Sequence, residues 1–104
     1  MDELVVLITA SHQDEATQIA RALVEARLAG CVNIIKDIRS IYSWEWKIED
    51  EAEVLMIAKT RQSLFEALVK KVKELHSYTV PEVIALPVVQ GSEDYLKWLR
   101  GVTG

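Results

Sequence analysis

The clearest alternation of apolar and polar positions lies between Ile38 and Thr60. Every second residue from Ile38 to Ile48 is apolar or aromatic except Ser40, and the residues between them are mostly polar. This alternation predicts a β-strand with one buried face, followed by an acidic tip. The returning strand, Glu53 to Lys59, is apolar at both parities, which is typical of a central strand covered on both sides.

The first strand of this hairpin is long for so small a protein. At ~3.3 Å per residue, residues 38–48 would span about 36 Å. A domain of this size has a radius of gyration of only ~13 Å. We therefore predict that the far end overhangs its own core and that Trp44 and Trp46 contact another chain, because exposed aromatic side chains favour association.

Before the hairpin, the pattern predicts a strand and a helix. The continuous apolar run Leu4–Ile8 is typical of a strand covered on both faces. Ser11, with Asp14 three residues later, predicts a capped helix start. Apolar residues within 16–28 follow the spacing of an amphipathic helix, and Gly30 is expected to end that helix in a left-handed conformation.

A strand starting at Cys31 leads into the hairpin, with an interruption expected at residues 36–37. After the hairpin, Ser63 and Glu66 predict a second capped helix. Residues 80–89 predict a fourth strand, which must begin or lie at a sheet edge because its two prolines lack a hydrogen-bond donor. The anchors predicted for the last helix are Tyr95, Leu96, Trp98 and Leu99.

The elements thus follow in the order β-α-β-β-α-β, with a terminal helix. With right-handed crossovers, this order predicts an α+β, ferredoxin-like sandwich with two helices on one face of an antiparallel sheet. We assign residues 1–104 to this single domain. Only the terminal helix is left for the other face, so the apolar first and third strands again indicate a partner subunit.

Composition narrows the range of partners. A hydrophobic content of 50% is enough for a two-layer core, and a net charge of −4 argues against nucleic acid. No apolar run is long enough to cross a bilayer and no secretory signal is recognisable, so no membrane partner is expected. The single cysteine excludes an internal disulfide and fits a cytoplasmic location.

Four segments resemble the CutA family of divalent-cation tolerance proteins. They are LVEARLAGCVN (23–33), SIYSWEWKIEDEAEVLMIAKT (40–60), LHSYTVPEVIALPV (75–88) and YLKWL (95–99). The resemblance implies a homotrimer in which long hairpins pack between subunits, an architecture similar to the PII signalling proteins. It also implies a role in tolerance of copper and other divalent cations, since some members bind copper.

The resemblance also suggests residues at the clefts between subunits. Three positions depart from the family pattern: Trp46 stands where glycine is usual, Ser77 where proline is usual, and Thr79 where glutamate is frequent. The positions that match the pattern and border the clefts are Cys31, Ser40, Tyr42, Trp44, Lys59, Tyr78, Pro81 and Glu82.

Two residues are candidate ligands for Cu(II) or another divalent cation. Cys31 offers a soft sulfur, although it is also suited to be a small buried residue. His76 follows the second helix, where capping or packing is the favoured alternative to metal binding. Ile8 and Leu75 stand where some relatives place a copper-binding cysteine and a second histidine, so only His76 remains of that constellation.

The remaining charged residues have alternative interpretations. Lys59 and Glu82 lie on otherwise apolar strands, so we predict either a structural ion pair or a shared role in holding a small ligand. The acidic residues between Glu45 and Glu53 are interpreted as a solvated hairpin tip, since an EF-hand pattern is lacking. His12 is expected at the surface beside a helix start.

The functional alternatives are a metal-binding tolerance protein and a PII-like regulatory module that binds a small ligand. No organic cofactor is expected. An enzyme of the acylphosphatase kind requires an arginine in the loop after the first strand, and residues 9–13 contain none. An RNA-recognition domain requires an aromatic and glycine pattern that residues 53–59 lack. We therefore expect a binding protein.

Overall fold

A computed structural model describes residues 2–104. Its four strands form one antiparallel sheet in the order β2-β3-β1-β4, which confirms the predicted α+β, ferredoxin-like arrangement. The elements are β1 (Glu3–Ala10), α1 (Gln13–Glu25), β2 (Cys31–Trp44), β3 (Lys47–Arg61), a 3-10 turn (Gln62–Leu64), α2 (Phe65–Leu75), β4 (Val83–Pro87) and α3 (Glu93–Val102).

The core lies between one face of the sheet and helices α1 and α2. Alternate residues of β1 and β3 point into it, as expected from the twofold periodicity of a strand. Full burial of a large aliphatic side chain contributes about 1.5–3 kcal/mol to the stability of the fold. The fully buried members include Val6, Ile8, Ile19, Leu23, Met56, Leu68 and Val72.

The opposite face of the sheet, here called the open face, is apolar but only partly covered. On it, Leu7 pairs with Ile57 on one side and with Ile84 on the other. Ile84 remains 53% exposed and Ile35 45% exposed. Helix α3 reaches one end of this face, where the guanidinium of Arg100 lies 3.0 Å from the buried carboxylate of Glu3.

The β2–β3 hairpin extends beyond the rest of the sheet, as the strand length predicted. β1 pairs with β3 only as far as Ala10 opposite Val54, whereas β2 and β3 continue pairing to Trp44 opposite Lys47. The molecule is accordingly elongated, with principal extents of 44 × 25 × 22 Å. The far half of the hairpin therefore has no third strand beside it from residues 2–104 of the same chain.

The position of the hairpin turn differs from the prediction. The chain reverses at Glu45 and Trp46, whose φ angles of 50° and 68° are both left-handed. Such a two-residue turn matches strand twist and lets the acidic residues after it join β3. Asp50, for example, pairs with Arg39 on β2 at 2.6 and 2.8 Å. Trp46 therefore lies in the turn, fully exposed within one chain.

The predicted interruption at residues 36–37 is confirmed. The register between β2 and β3 shifts between Ile35 and Ile38, and Asp37 adopts a φ of 64°. This β-bulge reorients the strand where it leaves the core. The predicted fourth strand is confirmed at the sheet edge, but it is confined to Val83–Pro87.

The predicted helix ends were less accurate. His12, not Ser11, is the N-cap of α1, because its Nδ1 accepts the Glu15 N–H at 3.2 Å. The left-handed residue after α1 is Arg27, not Gly30. No side chain caps the start of α2, so the predicted role of Ser63 was wrong.

The anchors of α3 were only partly predicted. Leu96 and Leu99 are buried, whereas Tyr95 and Trp98 remain more than two-fifths exposed. The two aromatic rings instead lie against each other, with centroids 5.4 Å apart. Tyr95 and Trp98 therefore remain partly in contact with solvent, and the two leucines pack the helix against the rest of the protein.

Candidate functional site

A cleft of about 750 Å³ lies between the overhanging hairpin and the connector that joins α2 to β4 (residues 76–82). Five residues selected from the sequence line it: Ser40, Tyr42, Trp44, Tyr78 and Glu82. Its other lining residues are Thr9, Arg39, Ile41, Glu53, Ser77, Thr79 and Val80. The hairpin and the connector thus bring together residues that are distant in the sequence.

His76 fixes the start of the connector. The Tyr78 N–H donates to its Nδ1 at 3.0 Å, and its Nε2 lies 2.7 Å from the carbonyl oxygen of Thr9. Because Nδ1 accepts, Nε2 carries the proton and donates. The side chain is fully buried and both ring nitrogens are in use. A metal ion at His76 would require one of these bonds to break.

Glu15 holds the next connector residue. Its Oε2 accepts the Ser77 N–H at 2.8 Å, and its Oε1 accepts from the N–H and hydroxyl of Ser11. Burial on its own would raise the pKa of this carboxyl, but the hydrogen bonds from Ser77 and Ser11 lower the pKa to about 2. Proline at position 77 would lack the N–H, so the departure noted at Ser77 supplies a bond.

Tyr78 links the connector to β3. Its hydroxyl donates to Oε2 of Glu53 at 2.7 Å. Glu53 is only 6% exposed, which corrects its interpretation as part of a solvated tip. Burial, and next the hydrogen bond to Glu53, raise the pKa of Tyr78. The pair positions one carboxylate at the cleft.

Tyr42 and Trp44 form the hairpin side of the cleft. The Tyr42 hydroxyl lies 3.4 Å from Oε2 of Glu51, and Trp44 is 44% exposed. Partial desolvation, followed by the negative charges of Glu51, Glu53 and Glu49, raises the pKa of Tyr42. The cleft therefore combines exposed aromatic surface with a negative electrostatic potential.

Lys59 and Cys31 lie at the other end of the sheet. They pair directly with each other across β2 and β3, and the Lys59 ammonium contacts the side-chain oxygen of Asn33. Glu53 lies about 20 Å away along β3 at ~3.3 Å per residue. Within residues 2–104 of one chain, no ion pair joins Lys59 to Glu82.

The candidate metal ligands do not converge within one chain. Cys31 is half-buried, with its sulfur 3.9 Å from the side-chain oxygen of Asn33. Residues 2–104 contain no group of three or more His, Cys, Asp or Glu side chains able to hold a metal ion.

Sequence reasoning missed three important cleft residues. Thr9 enters through the carbonyl that binds His76, and Ser77 enters through its N–H, so neither carries a side-chain signal. Glu53 did carry a signal, since it is a charge at the start of an apolar strand. The same signal, a charged residue on an apolar strand, marks Lys59 and Glu82 as candidates.

Comparison with known proteins identifies the family. The family described as CutA1 divalent ion tolerance protein matches residues 4–102. The chain belongs to this family. The structure of the divalent cation tolerance protein CutA1 of Thermus thermophilus superposes with a TM-score of 0.96 at 49% identity, covering 98% of this chain and 99% of that one.

Two curated relatives extend the comparison. The divalent-cation tolerance protein CutA of Thermus thermophilus is 49% identical over 98% of this chain and 99% of its own length. Protein CutA of Homo sapiens is 54% identical over 92% of this chain, but the match spans only 54% of that protein. Other relatives are named chloroplastic or periplasmic. In residues 2–104, no helix is long and apolar enough to cross a membrane.

Proposed function

We propose that this CutA1 family member acts in divalent-cation tolerance as a homotrimeric, cytoplasmic binding protein, not as an enzyme. The trimer would bind copper or another divalent ion with groups from more than one copy. The observation that carries the proposal is the family match over residues 4–102. The surface of the single chain supports the assembly.

The open face and the hairpin both favour burial against further copies. Ile35, Ile84 and Leu86 on the open face are each about half exposed. The hairpin tip adds Trp46 and Ile48, which are 100% and 75% exposed. Contiguous apolar surface of this kind marks interaction sites. The number of copies, three, is taken from the resemblance to the family.

A shared site would resolve the shortage of metal ligands. Cys31 and His76 are the candidate donors, and neither belongs to a converging set of ligands within residues 2–104 of one chain. The ammonium of Lys59, opposite Cys31, also disfavours a cation there unless further anionic donors approach. Donors from a neighbouring copy are therefore a requirement of the proposal.

Calorimetric titration of copper(II) into tag-free, metal-free protein tests the metal role. We expect saturable heat that Cys31→Ser or His76→Gln reduces and that His12→Gln, a change at the exposed histidine, leaves intact. Heat no greater than a nonspecific background for the unaltered protein would refute the metal role. Saturable heat unaffected by both of the first two variants would instead refute these ligands.

The second candidate function is PII-like binding of a small ligand, with an indirect link to metals. The cleft of about 750 Å³ favours it, because its aromatic and polar lining is typical of ligand pockets. This function predicts binding to the cleft in metal-free protein. Copper heat without any ligand of the cleft would favour the first candidate.

A further inference from the structure

The aromatic walls of the cleft are suited to a positively charged ligand. Tyr42, Trp44 and Tyr78 line it from the hairpin and the connector. Aromatic faces attract ammonium and guanidinium groups, and the attraction grows as the contact is shielded from water. The same walls offer apolar surface to the uncharged part of a small organic molecule.

The carboxylates of the cleft favour the same charge. Glu53 and Glu82 line it, and Glu53 is only 6% exposed. Oε2 of Glu53 accepts from Tyr78, and its other carboxylate oxygen, Oε1, keeps contact with the solvent of the cleft. A largely buried carboxylate is poorly hydrated, so a donor or a cation that enters the cleft gains a strong interaction with it.

Within residues 2–104, no basic side chain forms an ion pair with Glu53 or Glu82. Arg39 is the one basic residue among the lining residues described, and its Nε and Nη2 already bind both oxygens of Asp50. The ammonium of Lys59 contacts the side-chain oxygen of Asn33 at the far end of β3. The carboxylates thus leave a net negative charge in the cleft.

A divalent metal ion fits this cleft less well than an organic cation. Hard cations take six or more oxygen ligands, and no group of three acidic or metal-ligating side chains occurs within residues 2–104. Two carboxylates beside three aromatic rings match a larger, softer charge.

We propose that the cleft binds a small organic cation carrying N–H donors, a primary amine or a guanidinium, with Glu53 as its ion-pair partner. The Trp44 and Tyr42 rings pack against the rest of the ligand. The inference rests on the binding role proposed for this protein, and it names the ligand class of the cleft independently of copper.

Three probes of matched shape test the charge requirement: benzylamine, benzyl alcohol and benzoate. Ligand-observed NMR titrations of the full, metal-free protein in the presence of a chelator give the dissociation constants. We expect benzylamine, cationic at pH 7, to bind at least about tenfold more tightly than benzyl alcohol, as a charge-assisted hydrogen bond implies. Benzoate should not bind.

Two variants test the residues. Glu53→Gln keeps an acceptor for Tyr78 but removes the charge, and we expect it to weaken benzylamine binding by at least about tenfold. Glu82→Gln, at an exposed position, should weaken it by a smaller factor while leaving folding intact. Glu25→Gln, an equal charge change on the exposed side of α1, should have no effect.

Two results would overturn the inference: equal affinity for benzylamine and benzyl alcohol, or unchanged affinity in both Glu53→Gln and Glu82→Gln. The result is separable from the copper titration. Copper heat without selective benzylamine binding refutes the organic-cation site alone, and selective benzylamine binding without copper heat refutes the metal role alone.

Discussion

The hydroxyl of Tyr78 donates a 2.7 Å hydrogen bond to the buried carboxylate of Glu53, and this bond joins the connector to the base of the overhanging hairpin. Tyr78 follows α2 and Glu53 precedes the core part of β3, so the contact closes one end of the cleft. The cleft consequently depends on a side-chain pair that periodicity does not reveal.

Replacing Tyr78 by phenylalanine should destabilise the protein by about 1–3 kcal/mol, because a buried carboxylate loses a hydrogen bond. Urea unfolding at one fixed protein concentration measures the loss. Tyr95→Phe is the control, since that residue is 42% exposed and we expect a change within about 0.5 kcal/mol. Equal losses for the two variants would contradict the proposed importance of the Tyr78–Glu53 bond.

Glu15 should make stability dependent on pH. Its folded pKa of about 2 lies below the ordinary value of 4.5, so its contribution is present above pH 4.5. That contribution is lost as the pH falls from about 4.5 to about 2. Glu15→Gln should therefore cost roughly 2–3 kcal/mol at pH 7, and the difference from the unaltered protein should shrink toward pH 2.

Urea midpoints at pH 7 and pH 2.5 check the Glu15 prediction. Asp14→Asn, at an exposed residue of the first turn of α1, should show a smaller loss that reflects only the helix dipole. A gap for Glu15→Gln that stays constant over this range would disprove the assigned pKa.

The hairpin turn contains two non-glycine residues in left-handed conformations. Glu45→Asn places a residue favoured in such turns and should raise stability by about 0.5–1 kcal/mol. Trp46→Gly relieves similar strain but removes the proposed trimer contact, so we expect it to weaken the assembly. Measuring the molecular mass as the protein is diluted reports the strength of the assembly. A trimer strengthened by both substitutions would show that Trp46 makes no contact between subunits.

Gly30 is tightly packed under α3. A Cβ atom there would lie 2.6 Å from Cδ1 of Leu99 and 3.0 Å from Cγ2 of Val102. Gly30→Ala should therefore cost about 1–3 kcal/mol through overpacking. Gly101→Ala is the matched control on α3, where nothing lies within 4 Å, and it should stabilise the helix by up to about 1 kcal/mol. We expect the midpoint temperature of thermal unfolding to fall for Gly30→Ala and to rise for Gly101→Ala.

Strand and helix order could be predicted from the sequence because apolar periodicity determines which faces are buried. The continuous runs Leu4–Ile8 and Val54–Ala58 became the two central strands, and the prolines of residues 80–89 placed β4 at an edge. These features depend on side-chain hydrophobicity and on missing backbone donors, both of which are local.

The turn could not be predicted in the same way. Neither Glu45 nor Trp46 is a usual left-handed residue, and the alternation runs through both of them to Ile48, so the sequence pattern places the tip in the acidic stretch that follows. The turn position is instead determined by the pairing of β2 with β3 along their full length. Likewise, the cleft depends on long-range hydrogen bonds through the Thr9 carbonyl and the Ser77 N–H, which any residue type can make.

The central claim is that further copies of the chain cover the open face and the hairpin. Light scattering of tag-free protein at micromolar concentration tests it most directly. A mass three times that of the 11.8 kDa chain is the result we predict. A mass of one chain under these conditions would contradict the proposed assembly and the proposed use of the hairpin.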